Sequence, residues 1–312
     1  MRITFSKFAW GVLVYNLLVI LWGAYVRATG SGAGCGAHWP LCQGEVIPRS
    51  AQVGTLIEFT HRLMSGLVLV LAVIMVIWAL GTYSKGSLIR RAVIFVGVFT
   101  LTEALLGAGL VLFELTAEND SVFRAVAIML HLVNTFLLLA ANGLTAWWAS
   151  NGAPERLSLR GRKAGFLFIG LIGLLVTGAT GAVTALGDTL FPATSFAEGF
   201  ARDFSSTEHF LIRLRVIHPI AAVVVAGLLL SIAGWVRSWT IDEKTRRVSW
   251  GLTGIVLLQI ALGALNVLLA APVWMQLVHL LVADLTWIAM IWLTALSASQ
   301  IVYEPHLVSI SA

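Results

Sequence analysis

Eight separate runs of roughly 20 apolar residues punctuate this chain, and no other feature limits its fold so severely. A hydrocarbon layer about 30 Å thick is crossed by a helix of about 20 residues. Within that layer only helices and closed barrels satisfy every backbone group. The runs fall at about 8–28, 58–81, 91–113, 124–148, 164–187, 211–236, 248–271 and 274–298. With 59% hydrophobic and only 11% charged residues among 312, the chain has too little polar surface for a water-soluble domain of its size. The expectation is an all-α integral membrane protein with eight transmembrane helices. The first run starts just after Met1-Arg2, as in a signal peptide, but it extends to Val26 and no clear cleavage site follows. It reads as a retained helix.

Basic residues are sorted by loop. Arg2 and Lys7, then Lys85, Arg90 and Arg91, then Arg156, Arg160, Arg162 and Lys163, then Arg237, Lys244, Arg246 and Arg247 make 13 of the 20 Lys and Arg. All fall on one side of an eight-span topology. The positive-inside rule places that side, and both termini, in the cytoplasm. The longer loops 29–57 and 188–210 then face outward. In such a chain the net charge of +5 reports orientation in a bacterial plasma membrane, with lipid as the partner and no nucleic acid. Both cysteines, Cys35 and Cys42, lie in the first outward loop, in C-G-A-H-W-P-L-C. An oxidising compartment permits a disulfide there; free, redox-active thiols are the alternative. A zinc site is disfavoured because His38 is the only other ligand nearby.

The chain reads as a duplication. Glu103 begins E-A-L-L-G-A-G-L-V in span three and Gln259 begins Q-I-A-L-G-A-L-N-V in span seven, 156 residues later. His61 and His218 are offset by 157, His131 and His279 by 148, and two L-T-A triplets by 149. Two pseudo-symmetric four-helix bundles follow, 1–150 and 151–312, as parallel repeats.

Four of the seven histidines, His61, His131, His218 and His279, fall one each in spans two, four, six and eight. His38, His209 and His306 fall in loops or the tail. An imidazole in hydrocarbon must satisfy its nitrogens, which makes it a functional candidate. The four lie three to seven residues past the outer start of their spans, hence roughly 5–10 Å deep at 1.5 Å per residue. Each half thus offers two imidazoles on two helices, the arrangement that holds a haem by axial nitrogen ligands. Glu58 shares a helical face with His61, whereas Arg215 stands at the matching place before His218. That asymmetry points to one haem being worked upon while the other serves. Glu58 is read as a proton acceptor, or else as an interfacial partner of Arg62. Arg27, Arg62 and Arg215 suit haem propionates or headgroup anchoring. Glu103 and Asp284 are read as buried hydrogen-bonded carboxyls or members of a proton path. Asn16, Asn134 and Asn266 are expected to bond between helices.

These residues resemble the haem A synthase family. The resemblance rests on V-R-A-T-G-S-G from Val26, C-G-A-H-W-P-L-C from Cys35, E-F-T-H-R at 58–62, the three later histidines and the two L-G-A motifs. It implies an enzyme that oxidises the C8 methyl group of haem O to the formyl group of haem A by successive hydroxylations. It also implies that His218 and His279 ligate a resident haem b, that His61 and His131 flank the substrate haem, and that Glu58 is a catalytic carboxylate. Haem O synthase, an electron donor and further copies of the chain are the expected partners. The chain departs from the family in lacking a second cysteine pair in 188–210 and in carrying Glu103 where glutamine is expected.

The main rival is a two-haem b-type membrane electron-transfer cytochrome, which needs no enzyme but leaves the Glu58/Arg215 asymmetry unexplained. A haem carrier is a third class. A haem-farnesylating enzyme is disfavoured by the lack of a D-x-x-x-D motif, and a di-iron bundle by the lack of a second E-x-x-H.

Overall fold

The computed structural model describes residues 3–49, 52–157 and 161–301. Arg2, Arg160, His306 and the side chain of Arg162 lie outside the described residues. The helices are α1 (Phe5–Ala28), α2 (Val53–Thr82), α3 (Leu88–Leu112), α4 (Val122–Asn151), α5 (Gly161–Leu190), α6 (Phe196–Asp203), α7 (Phe210–Leu214), α8 (Ile217–Trp239), α9 (Glu243–Leu268) and α10 (Val273–Ile301). Eight spans are long and apolar enough to cross a membrane, α7 and α8 together forming one of them. The protein is an all-α, multi-pass membrane protein.

Several helices begin three to five residues before the apolar runs do, because their starts are set by caps. Thr4, Ser87, Ser121 and Asp242 each accept the backbone N–H three residues on, from Lys7, Arg90, Arg124 and Thr245. Hydropathy detects the lipid-immersed stretch, while capping happens in the polar layer outside it. On α2 the residues Val68, Ala72, Met75 and Ala79 face inward, spaced for one helical stripe, whereas Val70, Val73 and Ile77 are exposed. The small alanines let neighbouring helices approach, as membrane packing favours.

Helices α1–α4 pack around Val12, Met75, Val96 and Leu139, and α5, α8, α9 and α10 around Leu167, Leu229, Val256 and Met290. Helix α10 serves both clusters. Its Trp287 donates its indole N–H to the Phe136 carbonyl at 2.6 Å and stacks on that ring at 5.2 Å. One and a half turns on, Trp292 donates to the Gly143 carbonyl at 2.9 Å. In lipid, where apolar burial discriminates little between partners, such bonds fix which faces meet.

At the end opposite the basic loops, Cys35 and Cys42 form a disulfide. The loop is pressed onto the start of α2: a Cβ on Gly34 would lie 2.6 Å from the Gly54 carbonyl and the Thr55 nitrogen. Thr55 donates to the Gly34 carbonyl at 2.8 Å. The loop of the second half carries α6, not foreseen from hydropathy, and leads into α7, which the apolar run at 211–236 covers as the start of a span. That span is broken at residues 215–216, immediately before His218-Pro219. Proline has no N–H and its ring clashes with the carbonyl four residues back, here that of Arg215. A fresh helix start at Ile217 places Pro219 in the tolerated first turn.

Candidate functional site

Each of the four intramembrane histidines sits six to nine residues from the start of its span, counted from Val53, Val122, Phe210 and Val273. That is roughly 9–14 Å along the helix. Counted from the helix starts the four positions differ by only about 5 Å, and the distances exceed those counted from the apolar runs because the starts lie in the polar layer outside them.

A second regularity was not anticipated. Each imidazole faces a glycine on the preceding span. A Cβ added to Gly23 on α1 would lie 2.9 Å from Cε1 of His61, one on Gly181 2.9 Å from Cε1 of His218, and one on Gly263 3.1 Å from Cε1 of His279. Gly107 on α3 faces His131 in the same way, but at 4.0 Å. The offset of 158 for Gly23 and Gly181 is within one residue of that for His61 and His218, while the 156 for Gly107 and Gly263 is that of Glu103 and Gln259 and not the 148 of His131 and His279. Sequence comparison of the two halves could have found them. At Gly23, Gly181 and Gly263 glycine is needed because any side chain would occupy the space of the ring.

The rings in the second half are 6.4 Å apart between centroids, at 88°. A metal held between two imidazoles needs ring centres roughly 6 Å apart, since each metal–imidazole bond is about 2 Å. Nδ1 of His218 lies 3.1 Å from the Thr177 carbonyl, which fixes that nitrogen as the N–H and leaves Nε2 free to ligate. His61, His131 and His279 each have a buried Nδ1 without a hydrogen-bond partner. Among the described residues no three His, Cys, Asp or Glu converge as a metal-binding cluster. The facing rings of His218 and His279 suit the two axial positions of a haem.

Glu58 is 4% exposed and fully engaged. One oxygen accepts from the Cys35 backbone N–H at 2.8 Å, and the other accepts from Arg62 Nη2 at 2.5 Å. Arg62 in turn donates to the His38 and Leu41 carbonyls. Glu58 and Arg62 therefore clamp the disulfide loop over α2, one turn from His61. Arg215 donates to Asp188 at 2.9 Å and to Asp203 at 3.0 Å, while its Nη2 is buried without a protein partner. Burial raises the Asp203 carboxyl above its ordinary value, and Arg215 opposes that rise. Arg27 donates to the Ala185 carbonyl, to Thr189 and, at 2.9 Å, to Gln276, joining α1 to the second half.

Of the three asparagines, Asn134 does bond between helices, donating to the Phe99 carbonyl at 2.9 Å and to Glu103. Asn16 instead donates to Val12 on its own helix, and Asn266 Oδ1 has no partner. Glu103 is hydrogen-bonded by Asn134 and Thr135. Asp284 is fully buried, and neither of its oxygens has a hydrogen-bond partner.

Residues 6–291 match the family of cytochrome oxidase assembly proteins. The chain belongs to that family. Among relatives, a Thermus thermophilus protein named protoheme IX farnesyltransferase is 53% identical over 289 residues, which are 92% of this chain and 47% of that protein. The chain thus spans about half the length of the Thermus relatives it matches. A heme A synthase of Exiguobacterium sibiricum is 30% identical over 278 residues, covering 88% of this chain and 89% of that protein. A heme A synthase of Alkalihalophilus pseudofirmus is 48% identical over 98 residues, 31% of this chain and 33% of that one.

In this cytochrome oxidase assembly protein the sequence reading missed the glycines beneath the rings, the Thr177 carbonyl and the two aspartates that hold Arg215. Asp188 and Asp203 lie 27 and 12 residues from Arg215, beyond any helical spacing rule.

Proposed function

We propose that the chain is a haem A synthase, an oxidoreductase that converts the C8 methyl group of haem O to a formyl group. Two successive hydroxylations of that carbon give a geminal diol, and loss of water leaves the aldehyde. Each hydroxylation is balanced by an external oxidant, such as one dioxygen taken with two electrons from a donor and two protons and releasing one water. Residues 1–150 carry the substrate site, with His61 and His131 flanking haem O. Residues 151–312 hold a resident haem b through His218 and His279. That haem supplies electron transfer when bound. The unpartnered Nη2 of Arg215 is the donor best placed among the three arginines for a propionate, since Arg27 and Arg62 already hold protein groups. Glu58 is the carboxylate of the substrate half, reaching substrate only if it gives up part of its grip on Arg62 and Cys35.

The observation that carries this reading is the 6.4 Å separation of the His218 and His279 rings, with Nδ1 of His218 engaged by a carbonyl. The Exiguobacterium relative, similar along nearly its whole length, supports the choice of reaction. The farnesyltransferase name belongs to a protein of which more than half is unmatched, and this chain has no D-x-x-x-D motif. The farnesyltransferase name of the Thermus relative, of which this chain matches 47%, supports haem O synthase as the partner that delivers the substrate. The clustering of basic residues supports a reading with both termini in the cytoplasm of a bacterium and with the disulfide loop and all four histidines toward the outer face of the plasma membrane. An electron donor, and assembly with further copies, complete the expected partners.

Pigment extraction tests the proposal. The protein is purified from cells supplying haem O, beside a Glu58→Gln form, and the haems are separated against standards. Haem A or its hydroxylated precursor together with haem b, the oxidation lost but haem b kept in the variant, is the expected result. Two equivalents of unaltered haem b whatever the supply would overturn it and leave the electron-transfer cytochrome.

A further inference from the structure

Three of the four imidazoles are located by steric contact, and one is not. Gly23, Gly181 and Gly263 leave room for their rings and nothing more, the virtual Cβ falling 2.9–3.1 Å from ring carbon. At His131 the same gap from Gly107 is 4.0 Å, ordinary van der Waals distance, so packing alone does not set that ring. Something else has to.

The neighbour that differs is Glu103, one turn before Gly107 on α3. Its Oε1 lies 3.6 Å from Nδ1 of His131, longer than a hydrogen bond but within ion-pair range. The carboxyl itself is held from two sides. Asn134 Nδ2 donates to Oε2 at 2.5 Å, and Thr135 donates to Oε1. The amide of Asn134 is oriented in turn, because Thr102 donates to its Oδ1 at 2.6 Å and its Nδ2 also donates to the Phe99 carbonyl. The carboxyl therefore stands in a fixed place with acceptor capacity to spare, beside a buried Nδ1 that has no other partner.

The second half shows what the arrangement is not. Gln259, the repeat counterpart of Glu103, approaches the other nitrogen, Nε2 of His279, at 3.2 Å. Nδ1 of His279 has no acceptor. Of the four, His218 alone has its Nδ1 within hydrogen-bond distance of oxygens, the Thr177 carbonyl at 3.1 Å and the Thr180 hydroxyl at 3.4 Å. A histidine that ligates metal through one nitrogen is oriented by what accepts the proton of the other.

We infer that Glu103 is a positioning residue for His131: its carboxyl accepts from Nδ1 and thereby presents Nε2 as the ligating nitrogen of the first-half site. The inference rests on the reading of His131 as a haem ligand. It assigns the loosest of the four rings to a side chain, where the tight ones are set by helix packing. A ligand held by a hydrogen bond swings aside more readily than one wedged against a backbone, as suits a site whose haem arrives and leaves.

The test is spectroscopic and needs no turnover. Full-length protein is loaded with haemin, and electron paramagnetic resonance is recorded for wild type, Glu103→Ala, Glu103→Gln and His131→Ala. The low-spin signal of the second-half haem reports that each variant is folded. The expected result is that Glu103→Ala loses the first-half low-spin signal as His131→Ala does, and that Glu103→Gln, which keeps an acceptor oxygen, restores it with shifted g-values. If Glu103→Ala leaves that signal unchanged while His131→Ala abolishes it, the positioning role is overturned. If His131→Ala also changes nothing, the ligand reading beneath it falls as well.

Discussion

Glu58 and Arg215 occupy the same place in the two repeats, 157 residues apart, carry opposite charges, and each fastens the loop of its own half. Glu58 holds the Cys35 backbone and is braced by Arg62; Arg215 holds Asp203 at the end of α6 and Asp188 at the end of α5. Both are buried. The difference in charge that first suggested a difference in chemistry is also a difference in what each loop offers: a backbone N–H in one, a carboxylate in the other.

Removing Arg215 therefore strands two partly buried carboxylates. Arg215→Ala is expected to destabilise the protein by about 3 kcal/mol, in the range for breaking a buried pair from one side. Limited proteolysis should then cut within 191–209 well before the helices open. Unchanged cleavage in that segment would show that α6 is held by other contacts.

The disulfide closes a short loop, its cysteines standing at a sequence separation of 7. The chain-entropy relation gives about 2 kcal/mol for a ring of that size. A Cys35→Ser, Cys42→Ser form should lower thermal stability accordingly and expose the loop to protease, yet retain the helical signal by circular dichroism. Loss of helicity would contradict a role confined to the loop.

The glycines beneath the histidines give a graded series. Gly181→Ala forces a methyl group to 2.9 Å from the His218 ring, and overpacking of that kind costs about 1–3 kcal/mol. Gly107→Ala has 4.0 Å to spare and gains helix propensity, so it should be neutral or stabilising by up to about 1 kcal/mol. Thermal denaturation compares the two, and pigment binding should follow the same order. Equal effects would mean that the rings move aside freely.

Acid should release α6 first. Glu198 accepts from the Thr194 hydroxyl and from the Thr194 N–H at 2.8 Å, which holds its carboxyl below the usual value. A depressed carboxylate stabilises the fold above its unfolded value, and that contribution disappears as pH falls through the folded one. Amide exchange in 196–203 should accelerate, relative to its intrinsic rate, as pH drops below the ordinary glutamate range. Glu198→Gln should flatten that dependence.

The eight spans were legible in the sequence because apolar runs at membrane length leave a trace in hydropathy. The occupants of Arg27, Arg62 and Arg215 were not. Apart from Glu58, the partner already read for Arg62, the three arginines hold carbonyls, side chains and aspartates distant in the chain, and no local pattern records a contact made 158 residues away, as between Arg27 and Ala185. Helix α6 is too short to show in hydropathy, and the break before His218-Pro219 needs the knowledge that the chain continues as a helix on both sides.

That break sets the two loops in different relations to their histidines. Helix α2 runs unbroken from the loop clamp at Glu58 to His61 and beyond, so the disulfide loop's anchor and an imidazole share one helix, a single turn apart. Arg215, which holds Asp203 and Asp188, lies in the two-residue turn before the helix that carries His218, so anchor and imidazole there belong to different helical segments.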